Sequence, residues 1–374
     1  MTDKELREIR RRFRPEKNNI LNIRGCIVNA DRTDFLKFNQ PIAASSVEES
    51  EKLLGIMKKA ISGGIGTNLL NIEFASRQPA EDEHHKLLMA LRSSELRDEG
   101  LLVTFYKAVA ESVKIEGGFA ILLAEDKYDV FSYSADGEKD ESSEVFNYII
   151  CCVCPIKPLN TGLYFREYDS TFRSFDPHAM LAAPELGFMF PCFDDRSTNI
   201  YNALFYTRDV SDSHPEFISN IFNVEKIQSS TEQKENFSSC LKETLNEDCD
   251  FEVMRSVHGQ IIEMVKEHKD SKTPEPLTLS KEKLKTVLEY CGASAQKVEQ
   301  FGNKFEEQFG KEKEITPKAI VDVKKFEVVT PDVSIKVNPE RTDLDSTQII
   351  NGVKYILIKA SDGVEVNGMS VDIK

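Results

Sequence analysis

Leu6, Ile9 and Phe13 recur three and four residues apart, the spacing of one helical stripe, and predict a short helix over residues 4–13 that Arg14-Pro15 ends. Its remaining positions include Arg10, Arg11 and Arg12, so with Arg14 the segment presents a basic face. Residues 20–29 and 35–38 read as two strands joined by a polar turn at 30–34. Helical patterns follow at about 47–62, 81–92 and 101–113, the first stopped by Gly63-Gly64, so this stretch is expected to be mainly helical.

From Gly117 the period changes. Short runs rich in β-branched and aromatic residues occupy 119–123, 145–153, 163–168, 186–193 and 201–206, with turn signals at Asp136-Gly137 and Asn160-Thr161-Gly162. The regular strand and helix alternation of a parallel doubly wound sheet is missing, which predicts a mostly antiparallel sheet with helices packed on it. Between 231 and 310 the chain is helical again, with Phe251, Met254, Val257, Ile261 and Val265 on one face. Ser280 and Ser294 stand as N-caps and Gly292 and Gly310 as stops of two further helices, the second carrying Val298, Phe301, Phe305 and Phe309. This helical hairpin has a helix-turn-helix outline, but Glu282, Glu289, Glu299, Glu306 and Glu307 match its lysines, which favours packing over DNA contact.

Charged, proline-bearing stretches at 269–276 and 311–317 read as linkers. Beyond them, 326–329, 333–337, 353–358 and 364–366, with Asn351-Gly352 and Asn367-Gly368 as turn signals, predict a small all-β unit. The expected fold is α+β in three parts: a main domain over 1–230, a helical region over 231–310 and a small β domain over 318–374.

With 374 residues, 40% hydrophobic and 30% charged, the chain can fill more than one core. A net charge of -15 argues against a general nucleic-acid binder, but residues 1–24 hold eight Lys and Arg against four acids, which leaves a basic N-terminal segment as the one place for such contact. No apolar run reaches the roughly 18 residues of a membrane span, and the charged start lacks the apolar centre of a secretory signal, so a cytoplasmic location is expected. In that setting the eight cysteines are expected as thiols. Cys151 and Cys154 form a Cys-x-x-Cys pair inside an apolar run closed by Pro155, the setting of a buried strand and not of a redox helix.

The common chemical signatures are missing. Gly64-Ile-Gly66 lacks the third glycine of a dinucleotide fingerprint, and the chain has no phosphate loop, zinc-protease helix or nucleophile elbow. His84 and His85, adjacent on a helix and preceded by Glu81-Asp-Glu83, are expected at the surface, and His258 and His268 at the surface or its boundary. Asp126 and Asp129 follow an apolar strand and read as a charged strand-end loop, with cation binding as the alternative. No metal site is assigned and no cofactor is indicated. Polar groups concentrate most at Asp194, Asp195, Arg196 and Asn199, between two apolar strands. There two carboxylates could divide acid and base roles or hold a cation, while the arginine orients an anion. The competing reading makes them a turn with a surface ion pair.

Three segments together carry a likeness: Ile9-Arg-Arg-Arg-Phe-Arg-Pro-Glu-Lys-Asn-Asn-Ile20, Gly187-Phe-Met-Phe-Pro-Cys-Phe-Asp-Asp-Arg-Ser-Thr-Asn-Ile200 and Val364-Glu-Val-Asn-Gly368. In this order and nearly end to end, the chain resembles the bacterial family named domain of unknown function 4317, found mainly in clostridial Firmicutes. The resemblance implies a bacterial cytoplasmic protein of this length and carries no activity, so no residue role is inherited. The favoured functional reading is a non-enzymatic interaction or regulatory protein with a protein partner. One alternative is an enzyme with a carboxylate site around Asp194, Asp195 and Arg196. Another is a nucleic-acid or ribosome-associated factor that uses Arg10, Arg11, Arg12 and Arg14 as its contact surface.

Overall fold

The structure, a computed structural model, describes residues 1–133, 139–157, 162–175, 180–224, 227, 230–271, 273, 275–310, 313–323, 325–338, 345–360, 363–366 and 369–371. The turns expected at Asp136-Gly137, Asn160-Thr161 and Asn367-Gly368 lie outside these residues, as do Lys272, Pro274, Lys311 and Glu312 of the expected linkers. The chain divides into two compact units, Met1–Ser229 and Ser230–Lys374. The class is α+β.

In chain order the first unit contains α1 (Asp3–Arg10), β1 (Asn22–Val28), β2 (Phe35–Pro41), α2 (Val47–Lys59), β3 (Leu69–Glu73), α3 (Gln78–Glu81), α4 (Glu83–Ser93) and α5 (Glu99–Ser112). It continues with β4 (Phe119–Tyr133), β5 (Lys139–Lys157), β6 (Gly162–Arg166), β7 (Thr171–Phe175), β8 (Met180–Leu181), β9 (Leu186–Phe190), β10 (Cys192–Asp194), β11 (Ser197–Asn199), β12 (Asn202–Thr207) and α6 (Pro215–Phe222). Its main sheet is antiparallel throughout, in the order β2-β1-β4-β5-β9-β12-β3, with β8 alongside β5.

Both faces of the sheet are covered, which explains why the central strand β5 reads as a continuous apolar run: Ile149, Ile150, Cys151, Cys152 and Val153 are all buried. Side chains alternate between the faces. Ile149, Cys151, Phe188 and Phe205 meet Leu88, Phe105, Val109 and Phe217 of α4, α5 and α6, while Ile150, Cys152, Met189 and Leu204 belong with Leu6 and Ile9 of α1 and Leu54 and Met57 of α2. Cys151 and Cys154 therefore point to opposite faces and cannot pair. At Gly187 a Cβ would come 2.4 Å from the Cys151 carbonyl oxygen and 2.9 Å from Ala60 Cβ, so the glycine permits the close approach of the segment that ends α2.

Several expectations change. The edge strand β3 was not foreseen in the stretch read as mainly helical. Strand β4 runs on to Tyr133, so Asp126 and Asp129 sit inside a strand and not in a loop at its end. The run over 186–193 breaks at Pro191, which cannot extend the ladder, into β9 and β10. His85, expected at the surface, is fully buried.

The second unit holds α7 (Ser230–Leu245), α8 (Phe251–Ser271), α9 (Lys281–Tyr290), α10 (Ala295–Phe309) and α11 (Pro317–Ile320), packed around Phe237, Leu241, Ile261, Leu288, Phe301 and Phe305. Ser280 and Ser294 cap α9 and α10 through bonds from the Lys283 and Lys297 amides, and Gly292 and Gly310 adopt positive φ beyond their ends. Ile315, within the second expected linker, is buried and exchanges backbone hydrogen bonds with Leu279. Among the described residues the C-terminal β structure comprises three two-stranded pairs, Phe326–Val329 with Ser334–Val337, Asp345–Ile350 with Val353–Ile358, and Val364–Val366 with Met369–Val371. The second turns at Asn351-Gly352, both at positive φ, as two-residue hairpins require. Among the described residues no helix is long and apolar enough to cross a membrane.

Candidate functional site

The polar run after β9 folds as a hairpin. Asp194 pairs with Ser197 across β10 and β11, leaving Asp195 and Arg196 as a two-residue turn with φ of 49° and 61°. Such turns favour Asn-Gly, because a side chain at positive φ is strained, and Arg196 accepts that strain where its backbone and side chain are both held by α1. The Arg196 amide donates to Glu5 Oε1 at 3.2 Å, and its guanidinium pairs with Glu8 Oε2 at 3.1 Å. Asp194 Oδ1 lies 3.0 Å from the Met1 amino nitrogen, and Asn199 Nδ2 donates to Asp194 Oδ2 at 3.4 Å.

The sequence of α1 explains why it can dock here. Thr2 and Glu5 form a reciprocal capping box, which fixes Glu5 in the first turn with its Oε2 bonded by the Thr2 amide and hydroxyl. Leu6, Ile9 and Phe13 then seat the helix on the sheet. Glu8 also accepts from the Tyr128 hydroxyl, and Tyr128 lies under the Arg12 guanidinium, 4.8 Å from its ring centre.

Arg12 continues this line of charge into the core. Its Nε and Nη2 donate to the two oxygens of Asp126 at 2.6 and 2.9 Å, and Asp126, 1% exposed, also accepts from the Asn19 amide and the Tyr148 hydroxyl. Arg10 donates to the Ile61 and Gly63 carbonyls beyond the end of α2, whereas Arg11 and Arg14 are exposed. The two sequence-level candidates, the basic N-terminal segment and the Asp-Asp-Arg loop, thus meet in one network. Arg12 engages the protein's own body within it, and Arg10 does so beside it at the end of α2.

Burial is the largest influence on Arg12, Arg196 and the Met1 amino group and opposes their charge, but Asp126, Glu8 and Asp194 respectively outweigh it, and all three are raised. Burial, with Glu8 beside it, lifts the Tyr128 phenol to about 12, so it acts as a donor at neutral pH. Glu5, Asp194 and Asp195 bring carboxylate oxygens within 4.8 Å of one another, a grouping able to ligate a divalent cation. Glu5 is already held by Thr2 and the Arg196 amide, and Asp194 by the amino terminus.

The profile of the family described as Domain of unknown function (DUF4317) matches residues 1–369. The chain belongs to that family. No curated protein and no solved structure matches it. The family's description assigns no activity, so the chemistry rests on the residues themselves.

Other features were not legible beforehand. His85 lies between the rings of Phe74 and Phe190, with centroids 4.8 and 5.4 Å away, and its Nε2 is 2.8 Å from the Ile200 carbonyl oxygen. Burial lowers its pKa. Two small cavities flank Arg24. One of about 130 Å³ is bordered by Glu95, Arg97 and Glu125, and one of about 190 Å³ by Lys37, Asn39, Glu99, Leu102 and Tyr106; neither borders the Asp194–Arg196 turn. Strand β6 overlaps the strand expected over 163–168, its partner β7 was not expected, and the pair forms a hairpin outside the main sheet. Leu163, Phe165 and Phe172 share one face of it and are 70%, 53% and 66% exposed; Tyr168 at its tip is 80% exposed.

Proposed function

We propose that the protein is a non-enzymatic interaction protein of the cytoplasm and that the β6–β7 hairpin is its main recognition surface. The observation that carries this reading is the exposed apolar face of Leu163, Phe165 and Phe172, whose two rings sit 5.2 Å apart across the ladder. Contiguous exposed apolar groups of this size mark contact sites, and an isolated two-stranded hairpin is marginal in water until something packs on it. Each such side chain contributes about 1.5–3 kcal/mol when fully buried, so three of them can anchor a partner.

The enzyme alternative draws on the grouping of Glu5, Asp194 and Asp195. We read that cluster as the dock for α1, because Glu5 of α1 accepts the Arg196 amide and Asp194 pairs with the Met1 amino group. The nucleic-acid alternative loses support where Arg10 and Arg12 face inward.

The test is affinity purification of the full chain and of the Phe165→Ser/Phe172→Ser variant from the cell that makes the protein. The proposal expects an unchanged melting temperature and loss of a reproducible partner. The same partners on both baits would contradict it.

A further inference from the structure

We infer that the free edge of β2 is a second recognition surface, one that adds an extended acidic segment of a partner protein to the sheet. The inference rests on the interaction-protein reading and concerns a different surface from the hairpin.

The hydrogen-bond parity of β2 is fixed at both ends of its ladder. The Ile42 amide donates to the Leu21 carbonyl at 3.0 Å, and the Asn29 amide to the Asp34 carbonyl at 3.3 Å. With the register that pairs Leu36 with Ile27, Phe38 with Gly25 and Gln40 with Ile23, alternation turns the backbone groups of Leu36, Phe38 and Gln40 toward β1. The amides and carbonyls of Phe35, Lys37 and Asn39 point away from it. Among the described residues β2 pairs with no strand other than β1, so these groups form an open template.

The same alternation places the side chains of Lys37 and Asn39 on the α5 side of the sheet, where they border the cavity of about 190 Å³ over Leu102 and Tyr106. Arg24 Nη1 lies 2.8 Å from Glu99 Oε1 and Lys37 Nζ 3.5 Å from Glu99 Oε2. Two cations sharing one carboxylate leave a surplus of positive charge at the cavity, in a chain whose net charge is -15. A lysine on an edge strand usually repels pairing, but this ammonium is drawn back over the cavity toward Glu99 and leaves the backbone row accessible. An added strand would meet Lys37 and Asn39 with its main chain and direct alternate side chains into the cavity, where a carboxylate completes the charge balance.

The probe is a labelled eight-residue peptide alternating Glu with Val and Thr, titrated by fluorescence anisotropy into the full chain beside the same peptide with Gln for Glu. We expect the Glu peptide to bind at least tenfold tighter than the Gln peptide and to weaken as salt rises. Asn39→Pro, which removes an outward amide and leaves the β1 ladder intact, and Lys37→Glu should each reduce binding at least tenfold, with the melting temperature of at least Lys37→Glu held within a few degrees. No binding to the wild-type chain, or binding unchanged in Lys37→Glu, overturns the inference. Partner capture through Phe165 and Phe172 is read separately, so either proposal can fail while the other stands.

Discussion

Arg12 and Asp126, 114 residues apart in sequence, form a bidentate ion pair beneath α1, with the carboxylate 1% exposed and bonded also by Asn19 and Tyr148. A charge so buried is tolerable only with its partners in place, which makes the N-terminal segment part of the first unit's core and not an appendage.

Removing one partner of this pair therefore leaves an uncompensated buried charge. Asp126→Asn and Arg12→Met should each cost about 3–5 kcal/mol in urea denaturation. The double variant Arg12→Met/Asp126→Asn should lose clearly less than the sum, because neither charge remains. Additive losses would place the stabilisation elsewhere.

At the hairpin turn, strain and ion pairing oppose each other in Arg196. Arg196→Gln loses the Glu8 pair and keeps the positive φ, whereas Arg196→Gly loses the pair and relieves a strain of order 1 kcal/mol. We expect Arg196→Gly to melt higher than Arg196→Gln. The reverse order would mean that the backbone is not strained there.

His85 gives the fold a pH dependence of known sign. Burial depresses its folded pKa below the ordinary value of about 6.5, so its contribution is constant only well above that pH, where both folded and unfolded forms are neutral. As pH falls below that value the unfolded chain takes up the proton first, and stability drops by at most about 1.4 kcal/mol per pH unit until the folded pKa is reached. Between pH 7.5 and 5 the wild type should lose stability relative to His85→Gln. Parallel curves would contradict the assignment.

Burial pushes the Cys154 and Cys192 thiols up to about 12 and also raises Cys151 and Cys152, whereas Cys249 and Cys291 are partly exposed. A thiol reagent should count eight groups after denaturation without reductant and, in the native protein, react first with Cys249 and Cys291. Fast native reaction at Cys151 or Cys154 would revive the redox reading.

How much was legible follows from where the signals reside. The antiparallel sheet, the capped helices of the second unit and the buried strand carrying Cys151, Cys152 and Cys154 showed in local period, caps and turns. The length of β4 did not, because Asp126, Lys127 and Asp129 look like a loop until Arg12 is seen to neutralise Asp126. The burial of His85 is hidden in the sequence, because Glu81-Asp-Glu83 suggests a solvated turn, whereas Asp82 caps α4 by accepting the His85 amide and the ring turns inward. The Asp-Asp-Arg concentration was visible in the sequence. Its partners Glu5 and Glu8 were not, being nearly two hundred residues upstream.

If the loop at Asp194–Arg196 is architecture and the β6–β7 hairpin is the working surface, the two separate in complementation of a deletion strain. The strain receives two variants, Asp194→Asn/Asp195→Asn and Phe165→Ser/Phe172→Ser, each scored against its folded fraction in the cell. The carboxylate variant should rescue in proportion to the amount folded, while the hairpin variant should accumulate normally and fail to rescue. A carboxylate variant that folds normally and fails, beside a hairpin variant that rescues fully, would contradict both assignments.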